Sequence, residues 1–281
     1  MDSVIQLMNA VLFGTDADRT SATQQLQSLF EAPGFIQLLA QLLLNPSVPT
    51  HFRQLAGTLL RDACRSHWNV VAPGDQAELR KLIIPCIADS NSRLRTAAGA
   101  VVAAIAKHDF PERWPELLPQ IHDYLVSSNE QVVSGALRCF QMIAEQLSDK
   151  ELMPVLQTIS PVLLGLFSAP TASKRIRARC TIIFHKLLDL LGMVKSQFPK
   201  EANAVLKQIL PGWLPHLATT LTSPVGDDQD YSVHLGALRV LNVVVQHFSN
   251  AVVKPIKAIL PAVWGLLVSG ATQYDCFANA V

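Results

Sequence analysis

The pattern Arg-x-x-Ala, or a near copy of it, recurs six times and constrains this chain more than any other feature. The instances are Arg19/Ala22, Arg53/Ala56, Arg95/Ala98, Val133/Ala136, Arg177/Cys180 and His234/Ala237. Their first residues are 34, 42, 38, 44 and 57 positions apart. A second pattern, two mostly aliphatic residues and then proline, alternates with it: Ile83-Ile84-Pro85, Leu117-Leu118-Pro119, Ile159-Ser160-Pro161, Ile209-Leu210-Pro211 and Ile259-Leu260-Pro261. A small residue at a fixed helical position lets a neighbouring helix approach closely. A proline inside a helix costs about 3 kcal/mol. Five at equivalent places therefore predict a tolerated kink in one layer of a repeated structure.

Apolar residues fall at helical spacing, as in Leu55, Leu59 and Leu60, or Leu137, Phe140 and Ile143. No strand-like alternation persists, and no Asn-Gly or Asp-Gly hairpin signal occurs. Breaker residues divide the chain into helix pairs: 3–13 with 16–31, 33–44 with 49–68, 74–88 with 90–107, 114–126 with 129–147, 150–167 with 173–194, and 198–221 with 230–248. Residues 252–268 open a seventh pair. An irregular period near forty residues, two helices each, predicts an all-α HEAT-repeat solenoid of about six and a half pairs. The whole of 1–281 reads as one array, the N-terminal portion of a longer one. An unpartnered last helix predicts exposed apolar surface and self-association. The long last gap predicts an insertion, with Asp227, Asp228 and Asp230 in a turn-forming loop.

The 281 residues are 49% apolar and 16% charged, with a formal charge of +1. That composition describes a folded, core-rich chain, and its charge balance argues against direct nucleic-acid binding. Cys64, Cys86, Cys139, Cys180 and Cys276 are scattered, with no CxxC, and read as buried free thiols in a reducing compartment. The histidines show no metal-ligand spacing, so no metal is expected. No phosphate loop, GxGxxG or GxSxG occurs, and no cofactor or catalysis is expected. The N-terminus lacks a signal-peptide pattern, and the longest apolar run, 97–106, falls short of the ~20 residues a membrane span needs. A soluble intracellular protein is expected.

Residues 51–68, HFRQLAGTLLRDACRSHW, and 93–121, RLRTAAGAVVAAIAKHDFPERWPELLPQI, resemble the importin-β (karyopherin-β) family. In the first, an arginine, small residues, paired aliphatics and a distal tryptophan follow that family's N-terminal pattern. In the second, Phe-Pro and Trp-Pro pairs precede Leu-Leu. The resemblance runs from about Thr20 onward, with 20–107 as the importin-β N-terminal-type region. It implies a nuclear transport receptor, shuttling between cytoplasm and nucleus, whose partners are Ran-GTP, FG nucleoporins and protein cargo of basic character, such as histones or ribosomal proteins. By this analogy Arg61 and Asp62 match the family's Lys-Asn pair in a Ran-contacting second helix, and Arg65 extends the set. Asp62 in place of Asn is a departure from that pattern and adds charge. Two alternatives stay open: a Ran-independent HEAT scaffold, and an exportin of the same superfamily.

Each candidate has a structural reading beside the functional one. Arg19, Arg53, Arg95 and Arg177 either line a partner surface or hydrogen-bond the adjacent repeat as a ladder. Lys174, Arg175, Arg177 and Arg179 either steer an acidic partner or solvate a helix start. Trp68, Trp114, Trp213 and Trp264 read as core wedges, with Phe110 beside Trp114. Segments 155–166 and 206–217 either accept FG phenylalanines or simply pack.

Overall fold

The computed structural model describes residues 2–225 and 230–271, and every described element is helical. The chain divides into two compact units, 1–146 and 147–281. The boundary falls between two helix pairs.

Unit one contains α1 (Asp2–Phe13), α2 (Asp16–Ser28), α3 (Phe35–Leu44), α4 (Thr50–His67), α5 (Pro73–Ile83), α6 (Ser92–Asp109), α7 (Leu117–Leu125) and α8 (Glu130–Ala144). The breaker residues act as their chemistry predicts. Thr15 caps α2 in a reciprocal box: its hydroxyl accepts from the Asp18 amide at 3.3 Å, and the Asp18 carboxylate accepts from the Thr15 amide at 3.1 Å. The side-chain oxygens of Asn91 and Asn129 accept from the second helical amides of α6 and α8, each at 2.9 Å. Pro73 occupies the first position of α5, where its missing N–H is no loss. Gly34 enters α3 with φ +78, a conformation that suits glycine.

Odd-numbered helices pack on their even-numbered partners, and the even-numbered helices α4, α6 and α8 pack side by side. Two glycines permit that second contact. A Cβ on Gly57 would lie 2.8 Å from the Ala97 Cβ, and one on Gly99 would lie 3.2 Å from the Cys139 Cα. Both contacts join positions forty residues apart, one repeat period. The alanine-rich sequence of α6 thus follows from its being flanked on both sides.

Unit two contains α9 (Asp149–Ser168), α10 (Lys174–Val194), α11 (Pro199–Thr222) and α12 (Ser232–Ala271). Trp213 is its central side chain. The indole stacks on Phe184 at 3.8 Å between centroids and on Phe167 at 5.4 Å. Its Nε1 donates to the Ser160 hydroxyl at 3.0 Å. That bond explains the odd member of the proline motif: the buried indole N–H requires an acceptor where other repeats carry an aliphatic. Among the described residues, α9 alone is long and apolar enough to cross a membrane by length and composition. Its apolar stripe, including Leu156, Ile159, Leu163 and Phe167, is buried against α10 and α11.

The prolines do not form the uniform kinked layer expected from sequence. Pro161 and Pro211 lie inside α9 and α11. Pro85 instead follows the end of α5 and sits in a 3-10 turn, Ile84–Ala88. Pro119 occupies the first turn of α7, where no intrahelical N–H is needed. One motif thus serves as interior proline, helix terminator and helix start. The backbone does break inside α12, at Phe248 (φ −135, ψ 35), although no proline stands there. The Lys195 ammonium holds this joint: it donates to the His247 carbonyl at 2.6 Å and lies 4.9 Å from the centroid of the Phe248 ring.

The helix expected over 90–107 runs two residues further, and 107–109 lie in the last turn of α6. Phe110 then leaves in extended conformation, as a residue before proline should. Trp68, Trp114 and Trp213 are buried as expected, whereas Trp264 is 68% exposed and is no wedge.

Candidate functional site

The exposed stripe of α4 follows from its sequence. Ala56, Leu59, Leu60, Ala63 and Cys64 face the core, which leaves Gln54, Thr58, Arg61, Asp62 and Arg65 along the opposite side. The structure therefore brings the three predicted site residues onto one face. It also pairs two of them with each other. Arg61 Nε donates to Asp62 Oδ1 at 2.8 Å, and a terminal guanidinium nitrogen lies 2.7 Å from the same oxygen. Both side chains are about one-third exposed. Arg65, one turn on, is exposed and makes no hydrogen bond or ion pair among the described residues. The face thus offers one neutralised cation and one open one.

The repeated arginines form the ladder. Arg53 Nε donates to the Leu43 carbonyl at the end of α3 (2.8 Å), and its guanidinium reaches the Asp89 carboxylate of the next repeat (3.4 Å). Arg177 makes the equivalent pair of contacts: Nε to the Phe167 carbonyl at 3.1 Å, and a terminal nitrogen to the Thr220 hydroxyl of the next repeat at 3.4 Å. Arg95 donates to the Asp89 and Ser90 carbonyls. His234, the imidazole variant, places Nε2 3.1 Å from the Ser223 carbonyl. The motif arginine is thus a C-cap for the preceding helix. Arg19, paired only with exposed Asp16, stands apart from this role.

A buried ionic node escaped the sequence reading. Asp109, fully buried at the end of α6, accepts from the Arg80 guanidinium of α5, and Arg113 Nε lies 3.2 Å from its other oxygen. Its carbonyl accepts from the Arg113 and Trp114 amides, at 2.7 and 3.0 Å. The node therefore fixes the turn between the third and fourth repeats. Asp109 beside Cys64 adds to burial in pushing that thiol above its ordinary range. Burial also raises Cys86 to about 11 and Cys180 to about 12, so none is an activated nucleophile. No group of metal-ligating side chains occurs among the described residues.

The segments considered for FG phenylalanines lie on α9 and α11. Val155, Leu163, Leu206 and Leu217 are buried, and Leu164 lies where a Cβ on Gly212 would be 2.9 Å from it. Packing accounts for them. Asp227 and Asp228 lie outside the described residues.

Residues 22–89, from α2 through the 3-10 turn after α5, match the importin-beta N-terminal domain. That match covers about a quarter of the chain, and it is to this N-terminal domain that the chain is similar. Over 97% of its length it is 23% identical to importin-9 of Drosophila melanogaster, and it spans 28% of that relative. It is 27% identical to importin subunit beta-5 of Schizosaccharomyces pombe over half of this chain and 14% of that one. Yeast importin-beta (Kap95p) shares the fold at a TM-score of 0.72 over 95% of this chain and 31% of its own, with 17% identity. The exportin Cse1 does so at 0.70, over 95% and 32%, with 15% identity. The chain thus has the fold of a HEAT-repeat array and spans about a quarter to a third of the length of these three proteins. The matched domain contains the whole α4 stripe and both ends of the Arg53–Asp89 link.

Proposed function

We propose that this chain is part of a nuclear import receptor that binds Ran in its GTP form, and that Arg61, Asp62 and Arg65 form part of that contact. The observation that supports it is the charged stripe of α4, with Arg61 and Asp62 partly exposed and Arg65 exposed, which lies inside the region that matches the importin-beta N-terminal domain. The one motif arginine inside that domain, Arg53, serves the fold. One neighbour in fold was solved as a Kap95:Nup1 complex, and another with Kap95p bound to RanGDP. By extension the receptor engages FG nucleoporins, carries protein cargo of basic character, and shuttles between cytoplasm and nucleus. Charge at the rim of such a contact sets approach rate and selectivity more than depth of binding.

The test is capture of Ran loaded with GTP or GDP on the immobilised chain. The GTP form is expected to bind preferentially, and Arg65→Glu is expected to weaken it about tenfold, or 1.4 kcal/mol, with unchanged helix content. Equal capture of both forms removes the import mechanism. The export reading draws on the likeness to Cse1, which is as close in fold as the importins. Ran-GTP added to a cargo complex of the full-length receptor decides between them: release supports import, and tighter binding supports export.

A further inference from the structure

We infer that the shared face of α10 and the first arm of α12 is a docking site for an acidic peptide segment with an apolar residue at each end. The site lies in unit two, outside the matched domain, and is independent of the Ran assignment.

The two helices run side by side in parallel. A Cβ on Gly236 would meet the Thr181 side chain at 2.0 Å, and one on Gly192 would meet the His247 ring at 2.4 Å. Such contact leaves no room for a third element between them. The face they share is therefore read from the residues flanking the contact. On α10, Ile182, Lys186 and Met193 fall on one stripe, at spacings of four and seven. Ile182 is 38% and Met193 59% exposed. Across the junction, the parallel register set by the Gly236–Thr181 contact brings exposed Arg239 of α12 level with the turn of α10 that carries His185, and the charges of Arg239 and Lys186 both disfavour the protonated imidazole. Arg239 makes no hydrogen bond or ion pair among the described residues. Asp189 tempers the site, 3.9 Å from Lys186 and 3.6 Å from His247. The carboxylate faces Lys186 and His247, whereas Arg239 is left uncompensated.

The result is a cationic centre between two exposed apolar side chains. Ile182 and Met193 are eleven residues apart on one helix, or about 16 Å at 1.5 Å per residue. About five residues of extended chain span that distance. A run of carboxylates of that length would face Lys186 and Arg239 while apolar residues at its two ends cover Ile182 and Met193. A basic segment would meet like charge, so this face does not suit the basic cargo proposed for the receptor.

The experiment uses the full chain and a fluorescein-labelled synthetic peptide carrying leucines on both sides of a five-residue Glu/Asp run, read by anisotropy. Peptides with five glutamines or five lysines in place of the run are the controls. The acidic peptide is expected to bind at least tenfold more tightly than either, and to weaken steeply between 50 and 300 mM salt, as screening requires. Lys186→Gln with Arg239→Gln is expected to lower its affinity at least fivefold, and Met193→Ser to lower it without changing the salt dependence. Lys81→Gln, at an exposed position on unit one, leaves it unchanged. Equal binding of the glutamine peptide, or indifference to these substitutions, overturns the proposal. So does a ten-nucleotide uridine RNA that binds with the same dependence on both cations, which would assign the site to phosphate. The salt series and Met193→Ser decide the matter even if the double charge variant unfolds.

Discussion

Arg53 and Asp89 meet across two successive repeats. The guanidinium that caps the Leu43 carbonyl at 2.8 Å also lies 3.4 Å from the Asp89 carboxylate, and both side chains are largely buried. Arg177 repeats the arrangement in the second unit with a hydroxyl, Thr220, in place of the carboxylate. A residue that recurs once per repeat here joins the end of one helix to the next pair, which is a mechanical task.

Arg53→Ala should therefore lower stability by about 1–3 kcal/mol, because it strips a buried carbonyl of its donor and leaves Asp89 unpaired. Arg19→Ala, at an exposed pair, should change it negligibly. Chemical denaturation followed by circular dichroism measures both. Equal effects would refute the ladder.

The Arg80–Asp109 pair should respond asymmetrically. Asp109→Ala leaves a guanidinium facing an apolar interior and should cost about 3–5 kcal/mol. Replacing both residues together, Arg80→Met with Asp109→Leu, should cost much less. A double-mutant cycle on thermal or urea unfolding reads the difference.

Glycine substitutions sort by space. A Cβ at Gly135 would lie 1.9 Å from the Ile87 carbonyl oxygen. Gly135→Ala should thus destabilise by about 1–3 kcal/mol. At Gly165, inside α9, nothing lies within 4 Å. There alanine should be neutral or gain up to about 1 kcal/mol through helix propensity. Melting temperatures of the two variants should move in opposite directions.

Asp62 holds Arg61 in an internal pair, so Asp62→Asn should release the guanidinium and strengthen GTP-Ran capture under the proposed function. The measurement is the same pull-down, with Arg61→Gln in the Asp62→Asn background returning affinity toward the parent. Unchanged capture in both would remove the pair from the contact.

His185 supplies a pH signature. Burial, reinforced by Arg239 and Lys186 and opposed by Asp189, holds its pKa below the ordinary 6.5. The unfolded chain therefore takes up the proton first as pH falls. This residue's contribution is fully present above 6.5 and is lost below it, toward the depressed folded value. His185→Gln should flatten that part of the stability profile between pH 7.5 and 5.5, measured by thermal melts.

Much of this architecture was readable because its signals are local. Asn91 and Asn129 announce α6 and α8, and the apolar spacing of α4 fixes which side of it meets solvent. The repeated arginine announced a ladder, but sequence could not name its acceptors, since a backbone carbonyl carries no residue signature. The node at Asp109 was invisible for another reason: its partner Arg80 is 29 positions away, and a buried carboxylate looks like any other in one dimension. The proline motif misled because its energetic meaning depends on where the helix ends. Pro85 and Pro119 sit at helix boundaries, so neither meets the penalty that an interior proline carries. For the α4 stripe, the exposure of Arg61, Asp62 and Arg65 followed from periodicity. The Arg61–Asp62 pairing did not, because adjacent residues on a helix do not ordinarily face each other.

The glycine contacts along the even-numbered helices carry a consequence for engineering. Gly57 receives Ala97, Gly99 receives Cys139 and Met142, and Gly236 receives Thr181. Each junction is a lock cut for its own neighbour: Gly57 and Gly99 hold the same place after their motif arginines but receive different side chains, and Gly236 stands two residues earlier in its helix. Deleting, duplicating or exchanging a helix pair would bring side chains onto bare backbone positions shaped for others. Although the sequence repeats, its modules are not spare parts: grafting a pair from elsewhere would require recutting both of its neighbours.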